Sequence, residues 1–276
     1  MSKIEQLPLE LYNSRSETLL FHCREPKPGL FIAESAKVIE RALAAGYRPE
    51  SVLMEDTFVP SPESDYPLLL QLLRDNDSDN PDNDNIPIHR SSHEEMMKIA
   101  GYHLTGGILS IMGRKRLPSA ESILNGKSRV AVLEGVNNPT NVGAIVRSAA
   151  AMGMDAVLFT GGCSDPLYRR AIRVSMGCIF QIPWTVVSSA DLLFETLKGQ
   201  GFTTAALALT CESVSIDDPG LKASQKLALY LGNEGSGLPR ERIEKCDYTA
   251  KIPMREGVDS LNVAAASAVA FWVVQK

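Results

Sequence analysis

Short apolar runs recur along this chain, separated by amphipathic stretches and by polar clusters rich in Gly, Pro and Asn. Leu30-Phe31-Ile32-Ala33 reads as a strand. Val38, Ile39, Ala42 and Leu43 then recur at helical spacing, with Ser35 as the expected cap and Gly46 as the stop. Residues 51–54 form the next strand. Beyond a polar stretch come a strand at 86–89, a helix at 92–99 and a strand at 107–112. These elements define a small α/β domain over residues 1–113. Arg114-Lys115-Arg116-Leu117-Pro118 opens a linker over 114–126.

Residues 127–276 alternate more regularly. Strands are expected at 129–134, 156–159, 179–184, 203–209, 226–231 and 248–252. Helices are expected at 141–152, 166–174, 190–198 and 261–274. Near-continuous apolar strands alternating with helices indicate a mostly parallel sheet buried on both faces.

Charge changes this picture in one place. The net charge of the chain is −5, which does not mark a nucleic-acid binder. Residues 1–120 carry 13 Lys/Arg against 18 Asp/Glu, and residues 121–276 carry 15 against 15. The excess equals the five acids Asp75, Asp77, Asp79, Asp82 and Asp84, all in one stretch without apolar residues (75–85), which reads as a mobile acidic loop. Without it the N-terminal domain is neutral, and local basic patches can still bind phosphate.

Composition excludes several classes. No apolar run approaches the roughly 18 residues that span a bilayer, and the N-terminus lacks the apolar core of a signal peptide, so a cytoplasmic protein is the expectation. The five cysteines are scattered, without a Cys-x-x-Cys pair, which argues against a disulfide framework or a zinc site. His89 and His93 have i,i+4 spacing, but no further ligands gather around them. No metal is expected.

Three polar stretches each follow an apolar strand and precede a helix: 138–147, 231–239 and 252–264. Loops at the strand ends of one sheet can converge on one site. In the first, Asn141 is the expected helix cap, Gly143 permits close approach, and Arg147 on the Gly143–Ala144 face can hold phosphate. The plainer reading is a solvated helix arginine behind a routine cap. In the second, Gly232-Asn233-Glu234-Gly235-Ser236-Gly237 lacks the Lys-Ser/Thr of a phosphate loop, and Glu234 would repel pyrophosphate. It suits a neutral or cationic ligand, or else is an ordinary turn. In the third, Pro253 ends a strand abruptly, leaving backbone groups free to bond a base edge, and Ser260 or Asn262 can cap the last helix. A further segment, Tyr168-Arg169-Arg170-Ala171-Ile172-Arg173, makes a dense basic patch that can grip RNA or simply be solvated.

In order and wording, the three motifs resemble those of the SpoU-type (TrmH-like) RNA ribose 2′-O-methyltransferases of the SPOUT superfamily. The resemblance covers about residues 127–276. Residues 30–113 resemble, more loosely, the ribosomal-protein-like RNA-binding domain that often precedes the catalytic one.

The resemblance implies a C-terminal α/β domain with a parallel sheet and a deep trefoil knot, preceded by a small α/β RNA-binding domain. It implies S-adenosylmethionine as methyl donor, bound through Gly232, Ile252 and Leu261 with Leu209, Asn233 and Met254 as neighbours. It places the catalytic arginine at Arg147, supported by Asn141, Glu234, Ser260 and Asn262, and RNA contacts at Arg169, Arg170 and Arg173. It implies a homodimer through the knot region. The expected substrate is structured RNA, ribosomal or transfer RNA, with ribosomal RNA favoured. A catalytically silent RNA-binding or assembly protein is the alternative.

Overall fold

A computed structural model describes residues 9–12, 20–21, 29–59, 65–76, 86–101, 104, 106–257 and 260–275. The acidic run from residue 77 to 85 lies outside the described residues. The chain divides into two compact units.

The first unit comprises residues 1–116 with 167–180. Its strands are β1 (Leu30–Glu34), β2 (Pro49–Glu55), β3 (Ile88–Ser91) and β4 (Ile108–Gly113), in the order β1-β4-β2-β3. β4 is antiparallel to both neighbours, and β2 pairs parallel with β3. Helix α1 (Ala36–Ala44) buries Val38, Ile39 and Ala42, the face its spacing foretold. Ser35 stands at its N-cap position, but with φ of 82° and no side-chain cap bond, so the capping expectation fails. Helix α2 (Pro67–Asn76) was not foreseen; it buries Leu69 and Leu73. Helix α3 (His93–Ala100) starts in a full capping box between Ser92 and Glu95. His89 lies on β3 and His93 on α3, so their spacing is not that of one helix face.

The second unit comprises residues 117–166 and 181–276. Seven strands, β5 (Arg129–Leu133), β6 (Ala156–Thr160), β7 (Trp184–Val187), β8 (Thr203–Leu207), β9 (Val214–Ser215), β10 (Leu227–Leu231) and β11 (Tyr248–Lys251), form one sheet. Their order is β7-β6-β5-β10-β8-β11-β9, and every ladder is parallel. β5, β6 and β10 are buried at every position, the signature of a sheet covered on both faces. Val130, Val132, Leu158, Leu193, Phe194 and Tyr230 are among its buried core residues.

The segment 114–126 is no plain linker: Ser119 caps α4 (Ala120–Leu124), whose Ile123 and Leu124 are buried. The strand expected at 179–184 is instead a 3-10 turn, Cys178–Phe180, and the strand begins at Trp184. Pro183 has no N–H for a ladder, and the β-branched run follows it. The segment 166–174 supplies α6 (Arg169–Val174), and 167–180 groups with the first unit. There Arg169 is only 5% exposed. Its Nε donates to Glu34 Oε2 at 3.3 Å and its Nη1 to the Tyr12 carbonyl at 2.9 Å. It is a buried ion-paired residue rather than an RNA-facing one, whereas Arg170 is exposed and Arg173 half-buried.

Candidate active site

Helix α5 (Pro139–Ala151) follows β5. Asn138, not Asn141, is its N-cap and accepts from Thr140 N–H at 2.8 Å; Pro139 takes the first helical turn, where its missing N–H costs nothing. This leaves the Asn141 side chain free for other work. Asn141 is buried. Its Nδ2 donates to Glu234 Oε1 at 2.6 Å, and its Oδ1 accepts from Asn262 Nδ2 at 3.2 Å. Asn262 caps the last helix, α10 (Val263–Val274), by accepting from Ala264 N–H at 2.9 Å. Three segments far apart in sequence are thus joined by a polarised row of amides that ends on a carboxylate.

The loop after β10 is held by its own asparagine. Asn233 and Gly237 exchange backbone hydrogen bonds at 3.1 and 3.0 Å. Asn233 Oδ1 accepts from Gly235 and Ser236 N–H, and its Nδ2 donates to the Gly135 carbonyl at 2.9 Å, tying this loop to the one after β5. A Cβ on Gly232 would lie 2.4 Å from Leu238 N and 2.5 Å from Gly237 C. Both are backbone atoms, so only glycine fits there.

A cleft of about 540 Å³ opens at the carboxyl ends of β8, β10 and β11. Leu209, Gly232, Asn233, Ile252, Met254 and Leu261 all line it, as do Glu234, Ser260 and Asn262. Asn141 reaches it through Glu234 and Asn262. Its walls also use Leu238, Val263 and Ile243 of α9 (Arg240–Lys245), which the sequence did not single out. Leu238 and Val263 lie inside two of the polar stretches without having been given a role there, and nothing in the sequence points to Ile243. Leu209 is 53% exposed and Leu261 42%, large apolar side chains at a rim, consistent with a ligand site.

Arg147 is exposed on α5, and no hydrogen bond or ion pair occupies its guanidinium among the described residues. It does not line the cleft. No group of three or more His, Cys, Asp or Glu suited to a metal occurs among the described residues, and no described helix is long and apolar enough to cross a membrane.

A parallel α/β sheet with a ligand-sized cleft beyond its strand ends, walled by motif-bearing loops, defines an α/β enzyme domain. The chain belongs to the SpoU rRNA Methylase family, which it matches over residues 128–272. A Mycobacterium tuberculosis protein named as an uncharacterized tRNA/rRNA methyltransferase is 36% identical over 244 residues, covering 88% of this chain and 80% of that one. The AdoMet-bound rRNA methyltransferase from Sinorhizobium meliloti has a similar fold, with TM-score 0.77 and 22% identity over 96% of this chain and 92% of that one. So does the crystal structure of an RNA 2′-O ribose methyltransferase, with TM-score 0.70 and 23% identity over 99% of this chain and 94% of that one.

Proposed function

We propose that this chain transfers a methyl group from S-adenosylmethionine to a ribose 2′-hydroxyl of structured RNA, with ribosomal RNA favoured over transfer RNA. The observation that carries it is the row Ala264–Asn262–Asn141–Glu234 at the edge of a cleft with both apolar and polar walls. The cleft residues fit the donor: leucines and Met254 suit an adenosyl group, exposed strand-end backbone suits a base edge, and the Glu234 carboxylate suits a cation. Membership of the family and the names of the relatives support the same reading. When bound, S-adenosylmethionine supplies a methyl group that is already strongly electrophilic.

The protein's task is then alignment and proton management at an alcohol of high pKa. Arg147 is a poor base, because its pKa exceeds about 12. Its exposed fork instead holds the neighbouring phosphate in a bidentate grip and stabilises the developing alkoxide. A phosphate oxygen or water takes the proton. Holding reactants in place supplies several kcal/mol.

The deep trefoil knot and a homodimer through that region belong to this proposal. Val269 and Trp272 of α10 are exposed, Trp272 to 63%, an apolar face suited to a second copy. The first unit would select the RNA, with Arg170 and Arg173 as candidate backbone contacts. The silent RNA-binding alternative is disfavoured by the intact amide row. The test is transfer of labelled methyl to total RNA from cells lacking this protein, followed by digestion to nucleosides. Label on a 2′-O-methyl nucleoside is expected. Cofactor binding without transfer would overturn the enzymatic reading for free RNA.

A further inference from the structure

In the sheet order, β10 has β8 and β11 on one side and β5, β6 and β7 on the other. The cofactor cleft uses the first side. On the second side a smaller cleft of about 290 Å³ opens, and Asn233, Ser236 and Gly237 belong to both. Its other walls come from the carboxyl ends of β5, β6 and β7, with Gly135, Thr160, Gly161 and Ser188, and from Pro239. Ala190, the first residue of α7 (Ala190–Gly199), closes one end.

The chemistry of this lining is unlike that of its neighbour. It holds no Lys or Arg, and its ionisable group, Glu134, is already paired with Arg242 at 2.9 Å. A phosphate would find no cation there. It has no aromatic ring for stacking. It does have glycine backbone at Gly161 and the Ser188 and Ser236 hydroxyls, while the Thr160 hydroxyl is spent on the Leu133 and Gly161 carbonyls and the Gly135 carbonyl and both backbone groups of Gly237 are held by Asn233. A Cβ on Gly161 would lie 3.1 Å from the Ser188 carbonyl, while one on Gly237 would meet nothing within 4 Å. Glycine walls let a flat, uncharged, hydrogen-bonding ring approach the main chain. The volume is at the small end of ligand sites, near 300 Å³. RNA is read in this way, by splaying out single bases and bonding their edges.

We propose that this second cleft seats an unstacked nucleobase of the RNA substrate and so helps choose the methylated residue. The inference rests on the methyl-transfer reading. A ribose held beside Glu234 brings bases of its own strand to the shared Ser236–Gly237 edge.

Two variants test it without touching the cofactor cleft. Ser188→Leu fills the cleft from its exposed rim, and Gly161→Ala narrows it. For each, filter binding measures affinity for total RNA from cells lacking this protein, calorimetry measures S-adenosylmethionine affinity, and methyl transfer gives KM and kcat. RNA affinity should fall about tenfold, the scale of one base's contacts, with cofactor affinity within twofold of the unaltered chain. KM for RNA should rise more than kcat falls. Unchanged RNA affinity and KM in both variants would overturn the inference. If Ser188→Leu does not fold, Gly161→Ala decides alone. If the unaltered chain transfers no methyl at all, the methyl-transfer reading fails, while filter binding still decides the role of the cleft in RNA recognition.

Discussion

Asn141 and Glu234, 93 residues apart, are joined by a 2.6 Å hydrogen bond in which the amide donates to the carboxylate. Because Asn141 spends its oxygen on Asn262, the amide cannot be reversed without breaking both contacts. Asn141→Asp would set two carboxylates at hydrogen-bond distance, where one is driven to take up a proton. Turnover should fall about tenfold or more, the scale of a charged hydrogen bond. Adding Glu234→Gln to that variant should restore part of the loss. A double variant worse than Asn141→Asp alone would show that the two residues act separately.

Gly232→Ala forces a methyl group into the Gly237–Leu238 backbone. The loop must open, at a cost of about 1–3 kcal/mol. S-adenosylmethionine affinity, by calorimetry, should drop with thermal stability. An unchanged affinity would mean that the loop adjusts freely and does not shape the cleft.

Arg147→Lys keeps the charge and removes the planar fork. Methyl transfer should fall about a hundredfold, as when a transition-state donor is lost, with cofactor affinity preserved. A lysine variant with near-full turnover would rule out bidentate phosphate holding.

Much of the second unit is legible in the sequence because its strands are buried on both faces and read as unbroken apolar runs. What sequence leaves open is where polar residues point. The sequence points to Asn141 as the cap, whereas α5 starts one turn earlier, with Asn138 as cap and Pro139 in the first turn, and so places Asn141 in the site. Likewise Arg169 and Arg170 look alike in the chain, yet one is buried against Glu34 and the other faces solvent. Helix α2, with Leu69 and Leu73 buried, runs directly into the acidic stretch, and the segment before that stretch carries no element in the sequence reading.

Asp155 illustrates a pH effect. Burial acts to raise its pKa, but the N–H groups of Ser128 and Arg129 and the Ser128 hydroxyl outweigh it and hold the carboxyl below its ordinary 3.8. A depressed carboxylate stabilises the fold above its unfolded pKa, and that contribution is lost as pH falls through the folded value. Thermal stability should therefore decline on acidification below about pH 4. Asp155→Asn should lower stability at neutral pH and flatten that decline; an unaltered acid slope would assign it to other groups.

Cysteine reactivity offers a separate check. Cys211 is exposed, whereas burial pushes the Cys246 thiol up to about 11. At pH 7.5 the Cys246 thiolate is scarce, and its alkylation in the folded protein should be more than about a hundredfold slower than that of Cys211. Peptide mapping after brief iodoacetamide treatment reads this directly. Comparable labelling would show that α9 opens readily in solution.

The contact between Asn262 and Asn141 spans 121 residues. A chain that has formed β5, α5 and even the loop bearing Glu234 still holds no complete amide row until α10 docks. Parallel pairing between distant segments also makes that closure intrinsically slow. Without α10 docked, the Glu234 loop keeps its bond to Asn141 but the row loses the Asn262 contact that fixes which way the Asn141 amide points.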